Sequence, residues 1–500
     1  MADGYIHGAY AEQSDSVVSA AATATNAPLI IGTAPVNLIR GYASLVNTPI
    51  KLTDIGAKKV IGYSDDWENF TLCEAISAFF DNSLGNVGPI YVVNVLNPDV
   101  HKASTATSVT LSFTNGRAYI ESDTIIIDTL ALEGLVEGTD YELNYNFTTG
   151  KLAITSADSA NLITGTVAAT YYDVDASAVT DDDIIGEATA AGVYTGMHCG
   201  DLLYPNFSAV PNLVLAPTWS EHPDVYKAMC EYVQGINSVW YSFVLADIPV
   251  VDSANSDAVV DTIEIAKTWQ TTNGYDSMYS KVFWPQAVDK SGTVYHLATL
   301  AAAEMIRTDE THDGVPMETP SNKTSGMYAQ YFGPSSSNQG FDKETGNQLN
   351  AVGITTLIAW AGTLKLWGPH TAAFEAGDDG NAIADVDPLG IFDVNMRMQE
   401  YIMNSFVADH GDDVDEPMSR ALKDQIINAE QEKLDALVAQ GALIGSPTIS
   451  FLESENSTTD MINGNFVWNI SSTPTPPAKS LTAKVAYTDA GFDAYFGEEE

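Results

Sequence analysis

Basic residues are scarce in this 500-residue chain: 21 Lys and Arg stand against 66 Asp and Glu, a net charge of -45. A nucleic-acid binder needs a basic face to displace counterions from phosphate, and little is available here to build one. The same deficit sets the chain against an anionic membrane surface. Cysteine is nearly absent. Cys73, Cys199 and Cys230 lie far apart with no CxxC spacing, which argues against a disulfide framework and suits a reducing compartment. No stretch reaches the roughly 20 apolar residues of a membrane helix, so direct membrane insertion is not expected. The opening MADGYIHGAYAEQSD lacks the basic and apolar stretches of an export signal, so Sec-type export is not expected either.

Catalytic signatures are missing too. There is no GxGxxG, P-loop, HExxH or GxSxG, and the histidines are scattered. Acidic clusters occur at Asp181, Asp182 and Asp183, at Asp378 and Asp379, and at Asp409, Asp412, Asp413, Asp415 and Glu416. None has the alternating spacing and closing Glu of a calcium loop, so they read as solvated loops, with His410 exposed beside the last of them. The sequence therefore predicts no enzyme, no cofactor and no metal site.

What is present is an α/β pattern interrupted once. Residues 1–26 are small and polar, with Tyr5, Ile6 and Tyr10 as their only large anchors, and read as an N-terminal arm. From 27 to 100, APLIIGTAPV and PIYVVNVL read as strands around a helix in DDWENFTLCEAISAFFDN, whose first turn is acidic and whose Cys73 is core. Residues 191–345 resume the alternation with strands in PNLVLAPTW, SVWYSFVLADIP and SKVFWPQAV. Helices are expected in HPDVYKAMCEYVQG, SDAVVDTIEIAKTWQ and TVYHLATLAAAEMIRTD. Such spacing implies βαβ crossovers and a mainly parallel sheet. Between these halves, residues 101–190 show only short strand patterns. They predict an inserted all-β module on the outer surface, leaving through the acidic linker DVDASAVTDDD.

The C-terminal third reads as an α+β domain over 346–488, followed by an arm at 489–500. LIAWAGTLKLW suggests a helix in its core, and a second helix starts at Pro417 and stops at Gly441. Two strands follow, one with Phe466, Trp468 and Ile470 on a face, the other with Leu481, Val485 and Tyr487. The arm carries Phe492, Tyr495 and Phe496.

Five segments in this third carry a resemblance: GITTLIAWAGTLKLWGPHTA at 353–372, NMRMQEYIMNSFV at 395–407, LVAQGALIGSPTISF at 437–451, NGNFVWNISSTPTPP at 463–477 and KSLTAKVAYTDAGFDAYF at 479–496. In this order they resemble the C-terminal domain of contractile tail sheath proteins. METPSNK at 317–323 resembles the segment leading into that domain. The resemblance implies a structural subunit that polymerises with itself as stacked hexameric rings, a helical sheath around a tail tube protein. Baseplate and tail terminator proteins are its further implied partners. It places the protein in the tail of a virion or phage-like particle assembled in a bacterial cytoplasm. It also implies intersubunit strand pairing by Tyr5, Ile6 and Tyr10 of one arm and Phe492, Tyr495 and Phe496 of the other, with Phe466, Trp468, Ile470, Val485 and Tyr487 in the pairing region. The chain departs from the family pattern at Pro369 and His370, where Arg is common after the WG pair, and at Arg397, which stands alone where two Arg are common. Two other readings compete: a surface β-rich adhesin, and an α/β enzyme with a β accessory domain.

Overall fold

The computed structural model describes residues 25–496, apart from 256, 257 and 339. Its centre is an eight-stranded sheet. The strands are β1 (Thr25–Gly32), β2 (Pro49–Leu52), β3 (Ile90–Asn94), β4 (Ala209–Leu215), β5 (Phe243–Asp247), β6 (Ser280–Phe283), β7 (Ile354–Trp360) and β8 (Thr363–Trp367). Their spatial order is β8-β7-β6-β5-β4-β1-β3-β2. The six inner strands run parallel, and β2 and β8 close the edges antiparallel. Every residue of β3, β5 and β6 is buried, as expected for strands covered on both faces. The covering helices include α1 (Leu72–Phe80), α2 (Pro223–Tyr232), α3 (Ile263–Asn273) and α4 (Leu297–Glu310). All three cysteines are free and buried, and burial pushes the Cys73 thiol up to about 12.

Two helix starts differ from the sequence expectation. α1 begins at Leu72, so Asp65, Asp66 and Glu68 are not its first turn; Asp66 instead accepts the Asn69 amide in a turn ahead of it. α3 begins at Ile263, where the Thr262 hydroxyl caps it, and Ala258–Val259 pairs with Val251–Asp252 as a small hairpin. The largest difference lies at 354–367. The expected helix is a β-hairpin that extends the central sheet through Val282 and Phe283. The Ala361-Gly362 turn decides this. Both residues take positive φ, 52° and 81°, as a two-residue loop matched to strand twist requires. This stretch therefore belongs to the core sheet rather than to a C-terminal unit starting at 346.

The module between 104 and 172 has its own core. Two three-stranded antiparallel sheets, one formed around Gly165–Tyr171 and one around Lys151–Ser156, enclose Leu111, Phe113, Ile120, Leu152, Ile154 and Tyr171. Its two ends lie side by side, since the Ala103 amide donates to the Asp173 carbonyl at 2.8 Å. Leu38 of the main domain enters this core, and Asn37 donates to the carbonyls of Asp123 and Ile125. The stretch after the module is ordered rather than a linker: Thr180 and Asp183 form a capping box on a short helix, Asp181–Ile185.

The C-terminal unit is built on α5 (Asp393–His410) and α6 (Arg420–Gln440). α6 starts at Arg420 under a Ser419 cap, three residues after Pro417, and ends at Gly441 with φ 86°. Met398, Ile402, Leu434, Leu437, Ala442 and Leu443 form its core together with Val315. The start of α5 is tied to the sheet by a fully buried ion pair. The Lys281 ammonium lies 2.9 Å from the Asp393 carboxylate and also donates to the carbonyls of Gly368 and His370 at 2.7 and 3.0 Å. Removing one partner of such a pair strands the other charge without water. Asp393→Ala is expected to destabilise the protein by about 3–5 kcal/mol in denaturant unfolding. Lys423→Ala, which breaks a solvent-accessible pair with Asp424 and a long contact with the Phe451 ring, is expected to cost no more than about 1 kcal/mol.

Candidate assembly surface

The C-terminal unit ends in a two-stranded antiparallel ribbon, Thr448–Ser450 paired with Asn469–Ser471. A ribbon of that size is marginal alone. It leans on α6 through Ile449 and the Gln431 side chain, which accepts the Ile449 amide. The expected strand through Phe466, Trp468 and Ile470 is shorter than the sequence suggests. Only Ile470 lies in it, packed against the C-terminal core. Trp468 precedes the strand and sits against Phe451 and Phe406, with ring centroids 5.6 and 6.2 Å away. Phe466 is half-buried outside the ladder.

Beyond Pro477 the chain leaves the unit. The second expected strand does not form within this chain, and Leu481, Val485 and Tyr487 are 89%, 94% and 85% exposed. Phe492, Tyr495 and Phe496 fall in a short helix, Ala490–Phe496, and stay exposed at 57%, 82% and 70%. Their ring contacts are with one another, not with Trp468 or Tyr487. The exposed arm therefore starts earlier than 489. One tether marks its root: Lys479 donates to the Gly380 carbonyl at 2.8 Å and lies over the Phe374 ring. The other expected arm residues, Tyr5, Ile6 and Tyr10, lie outside the described residues.

The unusual WGPHT segment has a clear local role. His370 is stacked between Phe374 and Phe392, at 3.5 and 5.1 Å between ring centroids. Burial, with Lys281 nearby, drives its pKa down to about 3, so the neutral ring donates from Nδ1 to the Ile391 carbonyl at 2.7 Å. The lone Arg397 pairs with Asp309 of α4 in a buried two-point contact. His410 is not exposed as expected. It bridges Asp413 and Glu430 at 2.8 and 2.9 Å, and these carboxylate contacts, Glu430 first, raise its pKa. Lys433 pairs with Asp409 and Glu430 in the same cluster, so part of that acidic stretch clamps α5 to α6 rather than lying in solvent.

A second polar cluster lies beyond the carboxyl ends of the parallel strands, where ligands bind in open α/β sheets. His296 lies 2.7 Å from Glu74 and 3.3 Å from Glu221. Burial disfavours its charge, but the two carboxylates overcome this and hold its pKa well above the ordinary range. Burial raises the neighbouring Asp247 to about 7, and its carboxylate accepts the Ala298 amide at 3.0 Å. His296 pairs with Glu74 and Glu221, Asp247 holds the first turn of α4, and the cluster joins α1, α4 and β5. Among the described residues no group of three or more His, Cys, Asp or Glu is placed to hold a metal ion, and no helix is long and apolar enough to cross a membrane.

No family model matches the chain. Its sequence is 25% identical over 519 aligned positions to a tail sheath protein of Burkholderia phage BcepMu, covering 98% of each. It is 29% identical over 150 residues to a major tail sheath protein of Serratia phage KSP20, covering 30% of this chain and 34% of that one. The chain is similar in sequence to proteins named tail sheath protein, in one case along nearly its whole length. Its fold is that of the sheath subunit in a contracted extracellular contractile injection system, PVC. The two superpose with a TM-score of 0.51 over 98% of this chain and 100% of that one, at 12% identity.

Because no residue of the arm beyond 488 is buried among those described, truncation after Thr488 is expected to leave a soluble monomer. Its stability should stay within about 0.5 kcal/mol of the intact monomer, as for changes at exposed sites. Thermal melting checks this. A large loss of stability would place Phe492, Tyr495 and Phe496 in the subunit's own core.

Proposed function

We propose that this protein is the structural subunit of a contractile sheath. It polymerises helically around a tail tube and shortens to drive the tube through a target envelope. The observation that carries the reading is the match to a named tail sheath protein along 98% of both chains. The exposed aromatic arm and the narrow two-stranded ribbon support it from the structure. Arms that extend a neighbour's sheet use backbone pairing for affinity and side-chain pockets for register. The ribbon has open edges to offer such a strand. In this reading the ribbon receives arms carrying Tyr5, Ile6 and Tyr10 or Phe492, Tyr495 and Phe496 from adjacent copies. Trp468 and Ile470 form its packed floor.

A repeated contact that does not close produces a helix from one kind of subunit. Contraction then needs no nucleotide if the extended lattice is held by a barrier rather than by equilibrium. The packed sheet domain moves as a rigid body while the arms keep neighbours linked. The tube, baseplate and terminator proteins are the partners of this scheme, and the tail of a virion or phage-like particle is its setting. The module at 104–172 lies on the outside of the sheath in this reading, because its ends meet and its core is its own.

Negative-stain microscopy of the purified protein is expected to show tubes or rings at high concentration or with the tube protein. A species that stays monomeric under both conditions in sedimentation counts against the sheath reading. Association between copies should rise with moderate salt, because ions screen repulsion between chains of net charge -45 within a Debye length of roughly 8 Å at physiological strength. Replacing 104–172 with a Gly/Ser linker is expected to preserve polymerisation. Its stability cost includes exposing Leu38, unpairing Asn37, removing Ile126 from the main core and breaking the Arg40 pairs with Asp128 and Glu137. A folded variant that no longer assembles would place the module in the lattice contacts.

A further inference from the structure

Helix α5 turns four polar side chains toward the interior, at Asp393, Arg397, Glu400 and Asn404. Their spacing puts them on one helical face, and they are 0%, 3%, 5% and 8% exposed. Three are satisfied. Asp393 holds Lys281 of β6, and Arg397 holds Asp309 of α4. Asn404 exchanges hydrogen bonds with the Tyr241 backbone, at 2.9 Å to its amide and 2.7 Å to its carbonyl. Glu400 is the exception. Its Oε1 atom is buried without a hydrogen-bond partner.

The same is true of the side-chain Oδ1 of Asn212, on β4. Glu400 and Asn212 line one small cavity of about 20 Å³ together with Tyr241, Pro316, Arg397, Tyr401 and Asn404. That is room for about one water molecule. An ionised carboxylate offers only acceptors and the Asn212 oxygen is another, so these two unpartnered oxygens hold no proton between them. The nearby charges do not supply one. The guanidinium of Arg397 is committed to Asp309, and the Lys281 ammonium is committed to Asp393 and two carbonyls. Strand β4 contributes the amide side chain of Asn212, the segment before β5 contributes Tyr241, and the connection after α4 contributes Pro316.

We propose that Glu400 is held as a neutral carboxylic acid that donates a hydrogen bond across this cavity, directly to Asn212 or through one water. The seam between α5 and the central sheet thereby depends on a proton. Burial supports this state, raising the Glu400 carboxyl to about 8 against the opposing charge of Arg397. Unfolding returns the group to about 4.3. Between these values the folded chain binds a proton that the unfolded chain releases. The stability contributed by Glu400 is therefore full below about pH 4.3, falls as pH rises through the window, and levels off above about 8. Because α5 also carries the core of the C-terminal unit, alkaline conditions loosen the joint between that unit and the sheet.

The test compares the intact chain with Glu400→Gln, whose amide supplies a donor at every pH. Urea unfolding is followed from pH 5 to 9. The folding constant of the variant relative to wild type is expected to rise with pH, by up to about tenfold per unit until about pH 8. A ratio that stays constant across this range overturns the proposal. If the variant does not fold, infrared spectroscopy of wild-type protein with carboxyl-labelled Glu gives a second measurement. A protonated glutamic acid band at pH 7 that disappears by pH 9.5 is expected, and the absence of such a band at pH 7 overturns the assignment.

Discussion

The Lys281 side chain has lost all contact with water, and an ammonium group in that position is tolerable only if each of its protons finds an oxygen. Asp393, Gly368 and His370 provide those oxygens, and all three come from the chain beyond the β7-β8 hairpin. This one requirement fixes much of the C-terminal third. It draws the end of β8 and the WGPH turn over the end of the sheet, and it sets the first turn of α5. His370 must then stack as a neutral ring between Phe374 and Phe392, since burial disfavours its charge and a second cation beside Lys281 would be opposed as well. Further along α5, Arg397 and Asn404 repeat the attachment to α4 and to the segment before β5. The seam between core and C-terminal unit is therefore polar and specific rather than a slide of apolar surface.

That seam contrasts with the end of the chain. The core packs its sheet on both faces, while the residues beyond Pro477 leave their aromatic and aliphatic side chains in solvent. Large exposed apolar groups on an extended segment mark a surface completed by something else. The proposed sheath function would give the division a physical reason. A contracting lattice needs subunits that do not deform and connections that do. Buried ion pairs serve the first need, because breaking one partner is costly. An arm without a core of its own serves the second. Some of the excess carboxylates are used internally, as in the His410–Glu430–Lys433 clamp.

Much of this was legible in the sequence. The apolar runs of β1, β3, β4 and β5 and the helices between them gave a mainly parallel sheet, because period and length separate strands from crossover helices. The interruption over 101–190 was legible because short alternating strands with Gly turns cannot continue a βαβ pattern. The order of five C-terminal segments was enough to reach the sheath family. The β7-β8 hairpin was less legible because ITTLIAW and TLKLW make a mostly apolar run, which fits a buried helix or a buried strand equally well. The two-residue turn at Ala361-Gly362 was the signal that separates them.

The sequence by itself determined most of the strands and helices of the α/β domain, that a β module interrupts it, and that the C-terminal end is rich in aromatics. These follow from local periodicity and composition. Only the tertiary structure decided which charges are inside. Lys281, Asp309, Asp393, Arg397 and Glu400 are spread over 120 positions and carry no shared motif. The pairing of Lys281 with Asp393 and of Asp309 with Arg397 exists because the α4, α5 and β6 elements meet. It likewise decided that His370 is a neutral stacked ring, that His410 is a clamp, and that Tyr487 faces solvent. Each depends on what lies across a gap in space, and the local pattern of a chain does not encode it.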